Sequence, residues 1–117
     1  MLKVYLSSPY SNLDHEQAYR RAFNLTGILL ENDINAYSPI VYCHQMRDLG
    51  TTTEFWWKFN KEWIDWCDLL VVFAIPGWEK SNGVAKEIKY AYYKNKKVTY
   101  IREQLTIETI RKLKSYE

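Results

Sequence analysis

Cys67-Asp68-Leu69-Leu70-Val71-Val72-Phe73-Ala74-Ile75-Pro76-Gly77 is the stretch that decides the fold. The seven apolar residues from Leu69 to Ile75 run without alternation, the pattern of a strand covered on both faces rather than one with a wet side. Seven is also far below the ~20 residues a membrane-spanning helix needs. Asp68 stands at the entry and Pro76-Gly77 breaks the run. A strand buried on both faces needs helices above and below it, and the flanking sequence has to supply them.

Downstream, Ser81-Asn82-Gly83 opens a predicted helix to about Asn95, with Val84, Ile88 and Ala91 along one stripe. Lys97 to Ile101 reads as a strand, and Thr106 to Ser115 as a last helix through Ile107, Ile110 and Leu113. Upstream, a helix is predicted from about Thr53 to Asp65, and Ala36 to Val41 reads as a short strand through Pro39. Before that, Asp14 is placed to cap a helix whose Ala18, Ala22, Leu25 and Leu29 share a face and which Asn32-Asp33 ends. Lys3 to Ser7 is a strand running into the loop cluster SSPYSN. Strands separated by helices around an apolar central strand predict one three-layer, parallel-sheet α/β domain over residues 1–117, flavodoxin- or Rossmann-like, with four or five strands. Such folds bind ligands outside the carboxyl ends of their strands. The loops that matter are therefore 7–12, 42–53 (with His44, Arg47, Asp48 and Gly50) and 75–82.

Composition narrows the partners. With 117 residues, 47% hydrophobic and 26% charged, the chain has the make-up of one folded domain and not of a disordered one. Sixteen Lys and Arg against fourteen Asp and Glu leave +2, too near balance for nucleic acid or an anionic membrane to be the main partner. The opening MLKVYLSSPY lacks a signal-peptide layout, so a cytoplasmic location is expected. Cys43 and Cys67 form no CxxC pair and are expected to be unpaired thiols. His15 and His44 have no third partner at metal spacing, so neither a metal nor a cofactor is expected, and no GxSxG elbow supports a serine hydrolase.

Five Trp, ten Tyr and four Phe exceed what so small a core encloses. They are densest at Phe55, Trp56, Trp57, Phe59, Trp63 and Trp66, on more than one side of any helix they share. That predicts a homodimer, or a dimer of dimers, whose interface includes Trp56 or Trp57 and Trp63.

Glu87 is the informative anomaly. It lies within or beside the apolar stripe of Val84, Ile88 and Ala91, in the second turn of a helix that starts at a strand's carboxyl end. Burial raises a carboxyl pKa while a helix N-terminus favours the charge, a combination common at functional carboxylates. A boundary glutamate pairing with Lys80 or Lys94 satisfies the same spacing. Ser81, Asn82 and Gly83 offer an anion-binding helix start, although a plain cap uses the same residue types. Tyr5 points from the first strand toward the same edge, where packing alone also accounts for a tyrosine; Asp68 sits immediately before the apolar strand and also suits a simple turn.

Taken together, VYLSSPYSN, a helix carrying Arg21, YSPI, NKEWIDWCDLLVV, GWEKSNGVAKEIKYA and KKVTYI resemble the nucleoside 2-deoxyribosyltransferase-like superfamily. The resemblance runs from Lys3 to Ile101 and is strongest with its small, often phage- or prophage-encoded members bearing a GWxxSxGxxxE segment. It implies that Glu87 is the nucleophile attacking C1′ of a nucleoside or nucleotide, with Tyr5 positioning it. The substrate is expected to meet Ser7 and Ser8 of the first loop, Ser81, Asn82 and Gly83 of the helix start, and His44; the first loop lacks the arginine that nucleotide hydrolases of the superfamily often place there, which leaves Arg20, Arg21 or a neighbouring subunit to supply positive charge. The leaving-group donor in that superfamily is commonly an aspartate eight residues before the aspartate corresponding to Asp68. That position is Asn60 here, which leaves Asp68, Asp65 or a residue of the 42–53 loop to substitute. Nucleotide N-hydrolases of the superfamily carry a serine, as at Ser81, where enzymes using free nucleosides carry an aspartate. The resemblance thus implies an N-glycosidase or deoxyribosyltransferase acting on a nucleoside 5′-monophosphate, typically as a dimer or larger. A protein that only holds a nucleotide or an ADP-ribose-like molecule is the alternative.

Overall fold

In the computed structural model, which describes residues 1–46, 49–102 and 105–117, four parallel strands form one sheet. They are β1 (Lys3–Ser7), β2 (Asn35–Tyr37), β3 (Leu69–Phe73) and β4 (Lys97–Ile101), in the order β2-β1-β3-β4. Around them lie α1 (His15–Glu31), α2 (Pro39–Cys43), α3 (Thr53–Trp66), α4 (Asn82–Tyr93) and α5 (Ile107–Lys114). Every residue of β3 is buried, and at roughly 1.5–3 kcal/mol per enclosed Leu, Val or Phe this strand is the sheet's natural centre.

Strand parity sorts the core into two halves. Val4, Leu6, Leu69, Val71 and Phe73 pack with Leu25 and Leu29 of α1 and Leu113 of α5. Tyr5, Leu70 and Val72 pack with Ile64 of α3 and with Val84 and Ala91 of α4. The result is the three-layer α/β arrangement expected from the sequence, and because alternate strand residues share a face, Ser7 points the same way as Tyr5. From β1 the chain moves outward to β2, whereas β3 lies on the other side of β1. The crevice between β1 and β3 at their carboxyl ends is therefore the switch point at which such sheets bind ligands.

Local chemistry fixes the elements around that crevice. Asp14 caps α1 by accepting from the Gln17 N–H at 3.0 Å. Gly77 takes φ 97°, and a Cβ there would fall 2.9 Å from Leu13 Cδ2, so the turn after β3 closes tightly on the first loop. Asn12 adds a bond from Nδ2 to the Gly77 carbonyl at 3.1 Å. Ser81 then caps α4, its Oγ accepting from the Val84 N–H at 3.2 Å.

One expected element is corrected. The strand predicted over Ala36 to Val41 ends at Tyr37, and Pro39 begins α2. Ser38 Oγ accepts from the Val41 N–H at 3.2 Å, and proline at a first helical position loses no needed N–H. The loop expected over 42–53 is accordingly shorter. It opens with the end of α2 and a 3-10 turn, His44–Met46, while Arg47 and Asp48 lie outside the described residues.

The aromatic residues of α3 are better covered than a single packed stripe predicts. Trp63 stacks on Tyr37 with ring centroids 4.4 Å apart, Trp57 lies edge-on to Tyr90, and the ammonium groups of Lys61 and Lys86 sit over Trp57. Only Phe55 among the aromatic residues of α3 is largely exposed. No helix among the described residues is long and apolar enough to cross a membrane.

Candidate functional site

A cleft of about 400 Å³ opens at the switch point, with Glu87 in its wall. Glu87 projects from the second turn of α4 toward the sheet and is 8% exposed. Strand parity brings it two donors: the Tyr5 hydroxyl donates to Oε2 and the Ser7 hydroxyl to Oε1, the latter at 2.6 Å. Burial pushes the Glu87 carboxyl up from 4.5 to about 7, and the bonds from Ser7 and Tyr5 hold it back from rising further. Both carboxylate oxygens are thus fixed, and a proton is gained or lost near neutrality. Burial, with the charge of Glu87 next, raises Tyr5 well above the usual phenol value, so it stays a donor.

Ser81 and Gly83 line the same cleft at the start of α4, where the first N–H groups of a helix lack intrahelical partners and attract anions. Ser8 lines it too. Its Oγ is buried and has no hydrogen-bond partner among the described residues, a cost that a bound polar group would remove.

Asn60 of α3 faces the cleft, and the Tyr37 hydroxyl donates to its Oδ1 at 3.1 Å. His44 is in the wall, 4% exposed, and engaged at both ring nitrogens: the Tyr10 hydroxyl lies 2.7 Å from Nδ1 and a Glu16 oxygen 3.1 Å from Nε2. Cys43 also reaches the cleft, and burial pushes its thiol up to about 11, so it is no thiolate nucleophile.

Four of the residues expected here lie elsewhere. Asp68 precedes β3 at the opposite end of the sheet, where its Oδ2 accepts from the Lys3 N–H at 2.9 Å. The length of the strand, roughly 13 Å at ~3.3 Å per residue, separates it from the cleft. It holds the first residues of β1 and β3 together and is too remote to serve as the acid. Arg21 is exposed on α1, and Asn82 is exposed with its side chain outside the cleft wall. Asp65 is engaged by the Tyr90 hydroxyl at 2.9 Å and the Lys94 ammonium at 3.7 Å. Sequence reasoning passed over Tyr10, although it stands in the SSPYSN loop already marked as a ligand loop, and Trp56, which joins the wall from α3. Among the described residues, no three His, Cys, Asp or Glu side chains are grouped to hold a metal ion.

A family model described as a domain of unknown function, DUF1937, matches residues 2–103. The chain belongs to the DUF1937 family. No curated protein matches this DUF1937 chain. Solved structures do. A 2-deoxyribosyltransferase from Leishmania mexicana superposes with a TM-score of 0.63 at 20% identity, covering 87% of this chain and 65% of that one. The 2-deoxyribosyltransferase of Bacillus psychrosaccharolyticus gives 0.60 at 20% identity over 92% and 79%. A CMP N-glycosidase from Clostridium botulinum gives 0.59 at 21% identity over 98% and 82%. The DUF1937 chain therefore has the nucleoside 2-deoxyribosyltransferase-like fold, and it spans about 65% of the length of the Leishmania protein.

Proposed function

We propose that this protein cleaves the N-glycosidic bond of a nucleoside 5′-monophosphate, with Glu87 as the nucleophile. The observation that carries the reading is a buried carboxylate, fixed by Tyr5 and Ser7 and opening into a cleft that the start of its own helix, α4, also lines. One Glu87 oxygen attacks C1′ of the sugar, and the C1′–N bond breaks with its electron pair staying on the base. The resulting glycosyl ester yields to water in hydrolysis or to a second base in transfer. The oxocarbenium-like transition state develops positive charge beside the carboxylate, which is where a fixed anion helps most.

The 5′-phosphate fits the α4 start. Ser81 carries no charge to repel it, Gly83 lets the backbone approach, and the unpartnered Ser8 hydroxyl is available to donate. The names of the three similar structures agree with nucleoside-directed glycosyl chemistry, and a small cleft lined by apolar groups such as Ile40 and Trp56 together with a few polar ones agrees with a small-molecule partner.

The test is incubation with a panel of nucleoside 5′-monophosphates and chromatography for free base. Release by the wild-type protein and a loss of about three decades or more in Glu87→Ala are expected, with the fold intact. Retained activity in that variant refutes the mechanism. Nucleotide binding without base release by the wild-type protein would make this a binding protein instead.

A further inference from the structure

The departing base needs a proton, and Asn60 has no carboxyl proton to give. The cleft holds another device, built from three segments distant in sequence. Tyr10 lies in the loop after β1, Glu16 in the first turn of α1 and His44 in the 3-10 turn after α2. The Tyr10 hydroxyl is 2.7 Å from His44 Nδ1, and Glu16 Oε1 is 3.1 Å from Nε2. The imidazole is clamped by face-to-face stacking on Tyr19 at 4.3 Å, and the Tyr10 ring by stacking on His15 at 4.3 Å. Tyr10 and His44 both line the cleft that contains Glu87.

We infer that Tyr10 is the proton donor to the leaving base and that His44, oriented by Glu16, is a positioning residue that recharges it. The inference rests on the N-glycosidic reading of the site. With the imidazole doubly protonated, Nε2–H is donated to Glu16 and Nδ1–H to the phenol oxygen, which turns the phenol's own hydrogen toward the cleft. As C1′–N breaks, the base takes that hydrogen and the phenol oxygen takes the Nδ1 proton. The ring ends neutral, the base ends protonated, and Glu16 keeps its charge. In the second half-reaction water bonds to C1′ and Glu87 departs as carboxylate, while the water's proton passes to Tyr10 and the phenol's to Nδ1, restoring the start. A phenol alone is a weak acid and a poor donor, whereas one bonded to an imidazole that carries a transferable proton is refilled as it gives its own.

The experiment uses two substrates that differ in the need for that proton: a monophosphate the wild-type protein cleaves, and a counterpart with a better leaving group. For a purine the counterpart is the 7-methylated nucleotide, whose base leaves neutral without protonation; for a pyrimidine it is the 5-fluorinated one. Tyr10→Phe keeps the stacked ring and removes only the hydroxyl. It should lower kcat on the ordinary nucleotide by about two decades or more. The loss on the activated counterpart should be many-fold smaller, within about threefold for the 7-methylated one. His44→Gln should show the same selective loss, while Glu87→Gln should lose both substrates. Equal losses on both substrates in Tyr10→Phe, or no loss on either, would overturn the relay while leaving the glycosidic reading in place. A wild-type protein that cleaves only the activated nucleotide would also overturn it. Failure to cleave any member of the panel would overturn the proposed function and the relay with it.

Discussion

Replacing Glu87 by glutamine should make the protein more stable above neutrality and abolish a pH dependence that the wild type carries. The native carboxyl titrates at about 7 where an unburied one titrates at 4.5, so between those values the native state binds the extra proton and the unfolded state does not. Stability therefore falls as pH rises through that window and levels off above it, the reverse of the behaviour of a salt-bridged carboxylate. At ~1.4 kcal/mol per pH unit, the raised pKa costs about 3 kcal/mol once the group is fully ionised. The glutamine side chain of Glu87→Gln has nearly the same shape, can accept from one hydroxyl and donate to the other, and does not titrate. The assay is thermal or urea unfolding of both proteins from pH 4 to 8. Every other titrating group cancels in the difference, which should grow by about 3 kcal/mol in favour of the variant, or ~10 °C in Tm for a domain of this size. A difference that stays constant across the range would show that burial does not penalise the Glu87 charge. The same ionisation should govern turnover, since only the carboxylate attacks, so kcat/KM should rise as pH approaches 7.

Ser81→Asp sets an anion at the α4 start; monophosphate binding measured by calorimetry should weaken at least tenfold more than binding of the matching nucleoside, and equal weakening would reduce Ser81 to a helix cap. A homodimer or dimer of dimers remains our proposal, resting on the exposed Phe55 ring packed edge-on against the half-buried Trp56 and on the exposed Tyr42 ring stacked on Phe59. Light scattering at micromolar concentration should return at least twice 14.1 kDa, Trp57→Lys should lower that mass, and a clean wild-type monomer would remove the interface.

What the sequence determined was whatever depends on one segment at a time. The unbroken LLVVFAI run placed the buried strand, Ser81 and Gly83 placed the start of α4, and helical spacing put Glu87 on the inner stripe, because periodicity and capping are local properties. Strand alternation likewise set Tyr5 and Ser7 on a common face. The Ser38-Pro39 cap was equally local, and there the β-branched Ile40-Val41 pair read as strand although a helix N-terminus was written in the two residues before it. Tertiary structure alone decided the rest. It gave Asp68 its partner, the Lys3 N–H, since which strand lies beside β3 is set by the sheet order and not by local sequence. It covered the α3 tryptophans with Tyr37 and Tyr90, which no helical wheel contains. It joined Tyr10, Glu16 and His44 across 34 residues of chain, because loops after parallel strands converge only when the sheet order β2-β1-β3-β4 brings their carboxyl ends together.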